Sequence, residues 1–137
     1  VGGAAFVQEQ SLSMDAFLVS IPLGILVALV LMANNIRDVN NDRMRSIQTI
    51  PLLAGPRNAV RLYLLLIAAA YVSVTLMAFL GPLTPWSLII LLSLPFTINL
   101  ARTILQEIPI DADARTAQSV TVFGALLLIS LLLERLL

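Results

Sequence analysis

The block from Leu62 to Ala101 contains no charged side chain. It is about twice the ~20 residues that a helix needs to cross a bilayer. Inside it, Gly81-Pro82-Leu83-Thr84-Pro85 sets two prolines and a glycine side by side. Proline removes a backbone donor and disrupts helix geometry, so this segment reads as a turn between two spans. Two further uncharged stretches run from Ala16 to Ile36 and from Thr116 to Leu133. The pattern predicts helices over 15–41, 58–80, 85–106 and 115–135, an all-α polytopic transmembrane bundle of about four helices. Composition points the same way. The 137 residues are 59% hydrophobic and 12% charged, with a mean hydropathy of +0.98. A soluble domain carries about 25% charged residues. A soluble fold of this length could not cover so much apolar side chain with so little charge.

Arginine sets the orientation. The segment 37–61 holds Arg37, Arg43, Arg45, Arg57 and Arg61, and the segment between the last two spans holds Arg102 and Arg115. The turn at 81–85 is uncharged, and the stretch before Ala16 has only Glu9 and Asp15. The positive-inside rule puts both arginine-bearing loops in the cytoplasm of a multi-pass cell-membrane protein. Trp86 beside the opposite turn suits the aromatic belt. Residues 1–7 are apolar, too short to span and without the positive start of a signal peptide. They read as the tail of a helix whose beginning is missing, so the chain is expected to be a C-terminal fragment.

Absent residue types exclude much chemistry. With no Cys there is no disulfide framework and no thiol nucleophile. With no His, the usual zinc ligand and general base are gone. Every cation is Arg, so neither a Schiff base nor a P-loop lysine is available. The net charge of zero gives no footprint for nucleic acid. Carboxylate, guanidinium, amide and hydroxyl remain.

These groups concentrate in one place. Asn34, Asp38 and Asp42 recur at i, i+4 and i+8, which stacks them on one helix face. The two carboxylates are offset by about 6 Å along the axis. That spacing suits Mg2+, a hard cation that takes oxygen ligands and keeps substrate phosphates in its shell. Asn35 adds a second amide at the end of an apolar span, where an unsatisfied polar group is costly. A solvated helix end with a surface ion pair is the competing reading. The density of Asn, Asp and Arg between Asn34 and Arg45, in a chain nearly devoid of charge elsewhere, favours a metal-plus-anion site. Arg37, Arg43 and Arg45 would grip phosphate oxygens through bidentate contacts. A lipid diphosphate uses both features, with its head on the cluster and its tail among the helices.

The run Pro22-Leu23-Gly24, then Asn34-Asn35-Ile36-Arg37-Asp38, then Asp42-Arg43 and Thr49 resembles the second aspartate-rich motif of the UbiA superfamily of intramembrane prenyltransferases. The Asn-Asn-x-Arg-Asp form, with Thr116-Ala117-Gln118 and Phe123-Gly124, is most similar to the branch that prenylates 1,4-dihydroxy-2-naphthoate in menaquinone biosynthesis. The resemblance spans nearly the whole chain, 1–137, as the C-terminal part of a nine-helix transmembrane prenyltransferase domain. It implies transfer of a polyprenyl group from polyprenyl diphosphate to an aromatic acceptor. It also implies Asp38 and Asp42 as catalytic metal ligands for Mg2+, with Asn34, Asn35 and Arg37 lining the substrate site. The family continues Asp-Arg-x-x-Gly-Lys-x-Thr, whereas this chain has Ser46 and Ile47 at the Gly and Lys positions. Arg45 is the candidate replacement for the lost cation. A first acidic motif, expected from a missing N-terminal half of the same enzyme, has no equivalent here.

Other polar residues are weaker candidates. Asn99 and Arg102 near the cytosolic end of the third span are read as substrate-binding, against snorkelling to the interface. Asp111 and Asp113, beside Glu107 in the other cytosolic loop, could approach the site, but a solvated polar turn after Pro109 is the favoured reading. Tyr63, Tyr71 and Phe96 read as core-packing or lipid-facing residues before cation-stabilising ones. Pro22 and Pro95 fall inside spans and read as packing kinks, with Ser20 and Thr97 near the carbonyls they free. Rival functions are a related prenyltransferase acting on 4-hydroxybenzoate, a non-catalytic membrane subunit or degenerate half, and a transporter fragment. The cluster lies at a helix end and not at the midplane, which disfavours the last.

Overall fold

Ser13 opens the first helix by accepting a hydrogen bond from the Ala16 amide at 3.2 Å, a side-chain cap. The computed structural model describes residues 13–136. The expectation of a helix tail over residues 1–7 lies outside them. The elements are α1 (Met14–Arg37), α2 (Val39–Met44), α3 (Ile50–Ala54), α4 (Pro56–Leu80), a 3₁₀ helix (Pro85–Ser93), α5 (Leu94–Gln106) and α6 (Ala112–Leu136). Four spans are long and apolar enough to cross a membrane: α1, α4, the 3₁₀–α5 unit and α6. The protein is an all-helical, multi-pass membrane protein.

The first and third spans differ from the expected helices. The first stops at Arg37 instead of continuing to 41, and Asp38 at φ −92°, ψ 9° joins it to α2. Asn and Asp side chains compete for nearby backbone groups, which weakens a helix over a segment as rich in them as 38–42. The break is mild. The Asp38 amide bonds the Asn34 carbonyl and the Asp42 amide bonds the Asp38 carbonyl, both at 2.9 Å. The third span begins as 3₁₀ and turns α-helical only at Leu94. Pro95 has no N–H for the Leu91 carbonyl. The Leu94 amide takes that carbonyl by the tighter 3₁₀ pattern, so the bond that proline deletes is recovered. Thr97 Oγ1 meanwhile donates to the Ser93 carbonyl at 3.2 Å.

The turn after α4 needs its glycine. A Cβ on Gly81 would lie 3.0 Å from the Met77 Cα, against backbone that cannot give way. Gly55, at φ 84°, links α3 to α4 in the left-handed region where side chains are strained. Pro56 then occupies the first position of α4, where its missing donor costs nothing.

One stripe of α1, namely Pro22, Leu26, Leu29, Ala33 and Ile36, faces the bundle at helical spacing. It meets two apolar layers. One gathers Leu26, Tyr71, Val74, Ile90, Phe123 and Leu127, with Tyr71 and Phe123 edge to face at 5.0 Å. The other gathers Leu29, Met32, Ile36, Tyr63, Leu100 and Ile104. Between 28% and 33% of each span is buried. Large apolar residues such as Leu65, Phe79, Leu92 and Leu128 face outward, as a lipid-solvated bundle requires. Hydroxyls between the spans are paired, whereas Thr49 Oγ1 and Thr84 Oγ1 are buried without a partner among the described residues. Tyr71 Oη lies 2.6 Å from Ser93 Oγ and 2.9 Å from Thr97 Oγ1, and Thr97 Oγ1 lies 2.8 Å from Ser119 Oγ. Tyr63 Oη lies 2.9 Å from Thr116 Oγ1. The expectation that both tyrosines pack in the core holds.

The two ends of the bundle are chemically distinct. Asp15, Pro82, Leu83, Glu134 and Arg135 share one cleft and so mark one end. The other end carries seven of the eight arginines, on α1–α4 and at the α5–α6 connection.

Candidate functional site

Arg37 is the last residue of α1, directly after the buried Ile36. The apolar stripe below it fixes the helix, so the guanidinium leaves the core at the arginine-rich end. Its planar fork is nearly saturated. Nε donates to Asp38 Oδ1 at 2.9 Å and Nη2 to Asp38 Oδ2 at 2.8 Å, a bidentate pair. Nη2 also donates to Asn34 Oδ1 at 2.8 Å. Nη1 forms an ion pair with Asp113 Oδ2, on the first turn of α6. One guanidinium thus ties α1, the α1–α2 junction and α6 together. The three charged side chains are 26–30% exposed, neither sealed from water nor free in it.

The local charges act on Asp38. The Arg37 hydrogen bonds hold its carboxyl below the usual carboxylate range, against partial desolvation, and the fields of Arg37 and Arg45 push the same way. Asp38 is therefore ionised at neutral pH. Asp42 is half-buried one turn further on, and Arg43 and Arg45 are exposed. Asn35 is half-buried beside Asn34. Every candidate from Asn34 to Arg45 thus lies on one short stretch of α1 and α2.

Asn99 and Arg102 are not brought to this cluster. Both are exposed on α5, and Asn99 lines a cleft of about 330 Å³ with Phe96, Thr103, Asp111, Arg115 and Gln118. On α6 a residue advances ~100°, so Asp113 lies on nearly the opposite face from Asp111, Arg115 and Gln118. The α5–α6 cleft and the Arg37 cluster are therefore separated by the width of α6. Asp111 pairs with Arg115, with both oxygens 2.9 Å from Nε, as a polar turn would. Asp113 departs from that expectation by reaching Arg37. The local sequence, which lets either aspartate approach the site, does not separate Asp113 from Asp111, because both have the same context. The available signal was topological: in an antiparallel bundle the end of α1 and the start of α6 share one face.

The segment after Asp42 carries the two departures from the family pattern. Ser46 stands at φ 56°, the one non-glycine residue with positive φ among the described residues. The family's glycine at this position is explained by that left-handed turn. The Ile47 amide closes the turn on the Asp42 carbonyl at 3.0 Å, and its side chain is exposed. Thr49 Oγ1 is buried without a hydrogen-bond partner among the described residues.

The cluster's donor chemistry fits a hard divalent cation. Each Asp38 oxygen accepts one Arg37 N–H, and a carboxylate offers about four lone-pair sites, so acceptor capacity remains. Among the described residues no three acidic side chains converge on one point. A cation here would complete its shell with water or phosphate oxygens, the habit of magnesium.

The chain matches the UbiA prenyltransferase family over residues 1–132. It is similar to the 1,4-dihydroxy-2-naphthoate octaprenyltransferase of Bacillus subtilis (strain 168), at 36% identity over 133 residues, covering 94% of this chain and 43% of that protein. It is 31% identical over 127 residues to the 1,4-dihydroxy-2-naphthoate octaprenyltransferase of Escherichia coli (strain K12), covering 93% of this chain and 41% of that protein. A shorter match, 33% identical over 72 residues, is to the UbiA prenyltransferase domain-containing protein 1 of Xenopus tropicalis, covering 53% of this chain and 21% of that protein. The chain thus spans less than half the length of the curated relatives it matches. No solved structure matches it.

Proposed function

The chain belongs to the UbiA prenyltransferase family, and on that premise we propose that it forms part of an enzyme transferring a polyprenyl group from polyprenyl diphosphate to 1,4-dihydroxy-2-naphthoate. The observation that carries the proposal is the Asn34–Arg37–Asp38 cluster, with Asp42 one turn on, at the arginine-rich end of four apolar spans. The printed names of two relatives support the acceptor. Family members generally use a divalent metal, and magnesium is our choice. The arginine-rich end is read as cytoplasmic in a cell membrane.

Asp38 and Asp42 would hold the cation, which supplies Lewis acidity to the leaving diphosphate. Arg37 has both edges of its guanidinium occupied, so its task is to fix Asp38 and the Asn34 amide. Exposed Arg43 and Arg45 are free to take phosphate oxygens. Asn35, half-buried beside Asn34, would line the diphosphate and acceptor site. The allylic C–O bond breaks and its electron pair leaves with the diphosphate oxygen. An aromatic carbon of the acceptor then attacks the allylic cation, and the ring sheds its carboxylate as carbon dioxide. Asn99 and Arg102 have a supporting place only if the acceptor also visits the α5–α6 cleft. A second aspartate-rich motif, outside these 137 residues, would complete the site.

The test uses the intact protein in native membranes with labelled polyprenyl diphosphate. Prenylated naphthoate should form, and chelation of divalent cations should abolish it. Product from 4-hydroxybenzoate in place of the naphthoate would reassign the acceptor. Product from neither would refute the transfer reaction.

A further inference from the structure

Asp113 forms an ion pair with Arg37, yet prenyl transfer as proposed gives it no task. It comes from the opposite end of the sequence to Asp38 and reaches the cluster only because α6 packs beside α1. A guanidinium held on one edge alone can swing about its own side chain. Here Asp38 and Asn34 take the Nε and Nη2 side while Asp113 takes Nη1. The planar group is pinned from opposite directions, and Asp38 inherits that fixed geometry.

We propose that Asp113 is a positioning residue for the divalent-cation site, acting through Arg37 to orient Asp38. The inference rests on the reading that Asp38 and Asp42 hold the cation. Partners behind a metal ligand commonly change affinity by about 10–100-fold when removed.

Manganese binding separates the possibilities, measured by electron paramagnetic resonance on the intact protein in lipid nanodiscs without substrate. Asp113→Asn should weaken manganese binding about tenfold, and Asp113→Glu should restore most of it. In an Arg37→Gln background Asp113→Asn should cause little further loss, because the two residues act as one unit. If Asp113→Asn binds manganese like the parent while Asp38→Ala does not, Asp113 merely staples α6 to α1 and the inference is overturned. If Asp38→Ala also binds normally, the metal-site reading itself fails and takes this one with it. Should Asp113→Asn not fold, Arg37→Lys carries the same test, since a point charge cannot bridge the two carboxylates as a fork does. Unchanged manganese affinity in that variant would equally overturn the inference.

Discussion

Ser46 holds a backbone conformation that suits glycine, at φ 56°. An L-residue there costs about 1–2 kcal/mol, and glycine returns part of that through its own chain entropy. Ser46→Gly should therefore stabilise the protein by about 0.5–1 kcal/mol, while Ser46→Ala should not. Thermal midpoints in one detergent check this, and equal shifts for the two variants would contradict it. Asp38 gives a pH prediction. Its folded-state pKa is depressed by Arg37, so the stability it adds is complete above its ordinary value and disappears as pH falls through the lower folded value. The midpoint difference between parent and Asp38→Asn should be constant from pH 7 to about 5 and shrink below about 4. The cluster's location was legible in residues 34–45 because charge is so scarce elsewhere. Arg37's partner across the bundle was not, because nothing in the local sequence distinguishes Asp113 from Asp111.

At the scale of elements, apolar length was the legible quantity and helix type was not. The four spans follow from uncharged runs. The 3₁₀ bond from the Leu94 amide to the Leu91 carbonyl answers the donor that Pro95 lacks, at the end of the Pro85–Ser93 segment. Hydropathy carries no such information. The end of α1 at Arg37 falls at a single residue, Asp38 at φ −92°, ψ 9°, which periodicity does not register. The Tyr71–Ser93–Thr97–Ser119 hydroxyl network joins α4, the 3₁₀–α5 unit and α6 inside the bundle. Interhelical hydrogen bonds in membranes average about 0.6 kcal/mol. Thr97 touches two partners on other helices, Tyr71 and Ser119, so Thr97→Val should cost about 1–1.5 kcal/mol. Tyr63→Phe removes one bond and should cost about 0.6 kcal/mol, since Thr116 keeps its bond to the Ala112 carbonyl at 2.6 Å. Denaturant titrations in mixed micelles would rank the two, and the reverse order would show that packing, not hydrogen bonding, holds these helices.

At the scale of the whole molecule, the bundle is a polarised object. Seven arginines and the Arg37 cluster occupy one end, and an apolar turn with Trp86 occupies the other. That asymmetry is what the proposed function needs, a polar end for a diphosphate and an apolar interior for its tail. The family and the spans were both readable from the sequence. The separation of Asn99 from Arg37 was not, because it depends on which faces of α6 the neighbouring helices choose. The central claim is that Asp38 and Asp42 bind the diphosphate through a divalent cation. The most direct measurement is equilibrium binding of a non-hydrolysable polyprenyl diphosphate analogue to the intact protein, with and without magnesium, in the parent and in Asp38→Ala and Asp42→Ala. Binding in the parent should depend on magnesium and fall at least tenfold in each variant. Binding that ignores magnesium, or that survives both substitutions, would contradict it.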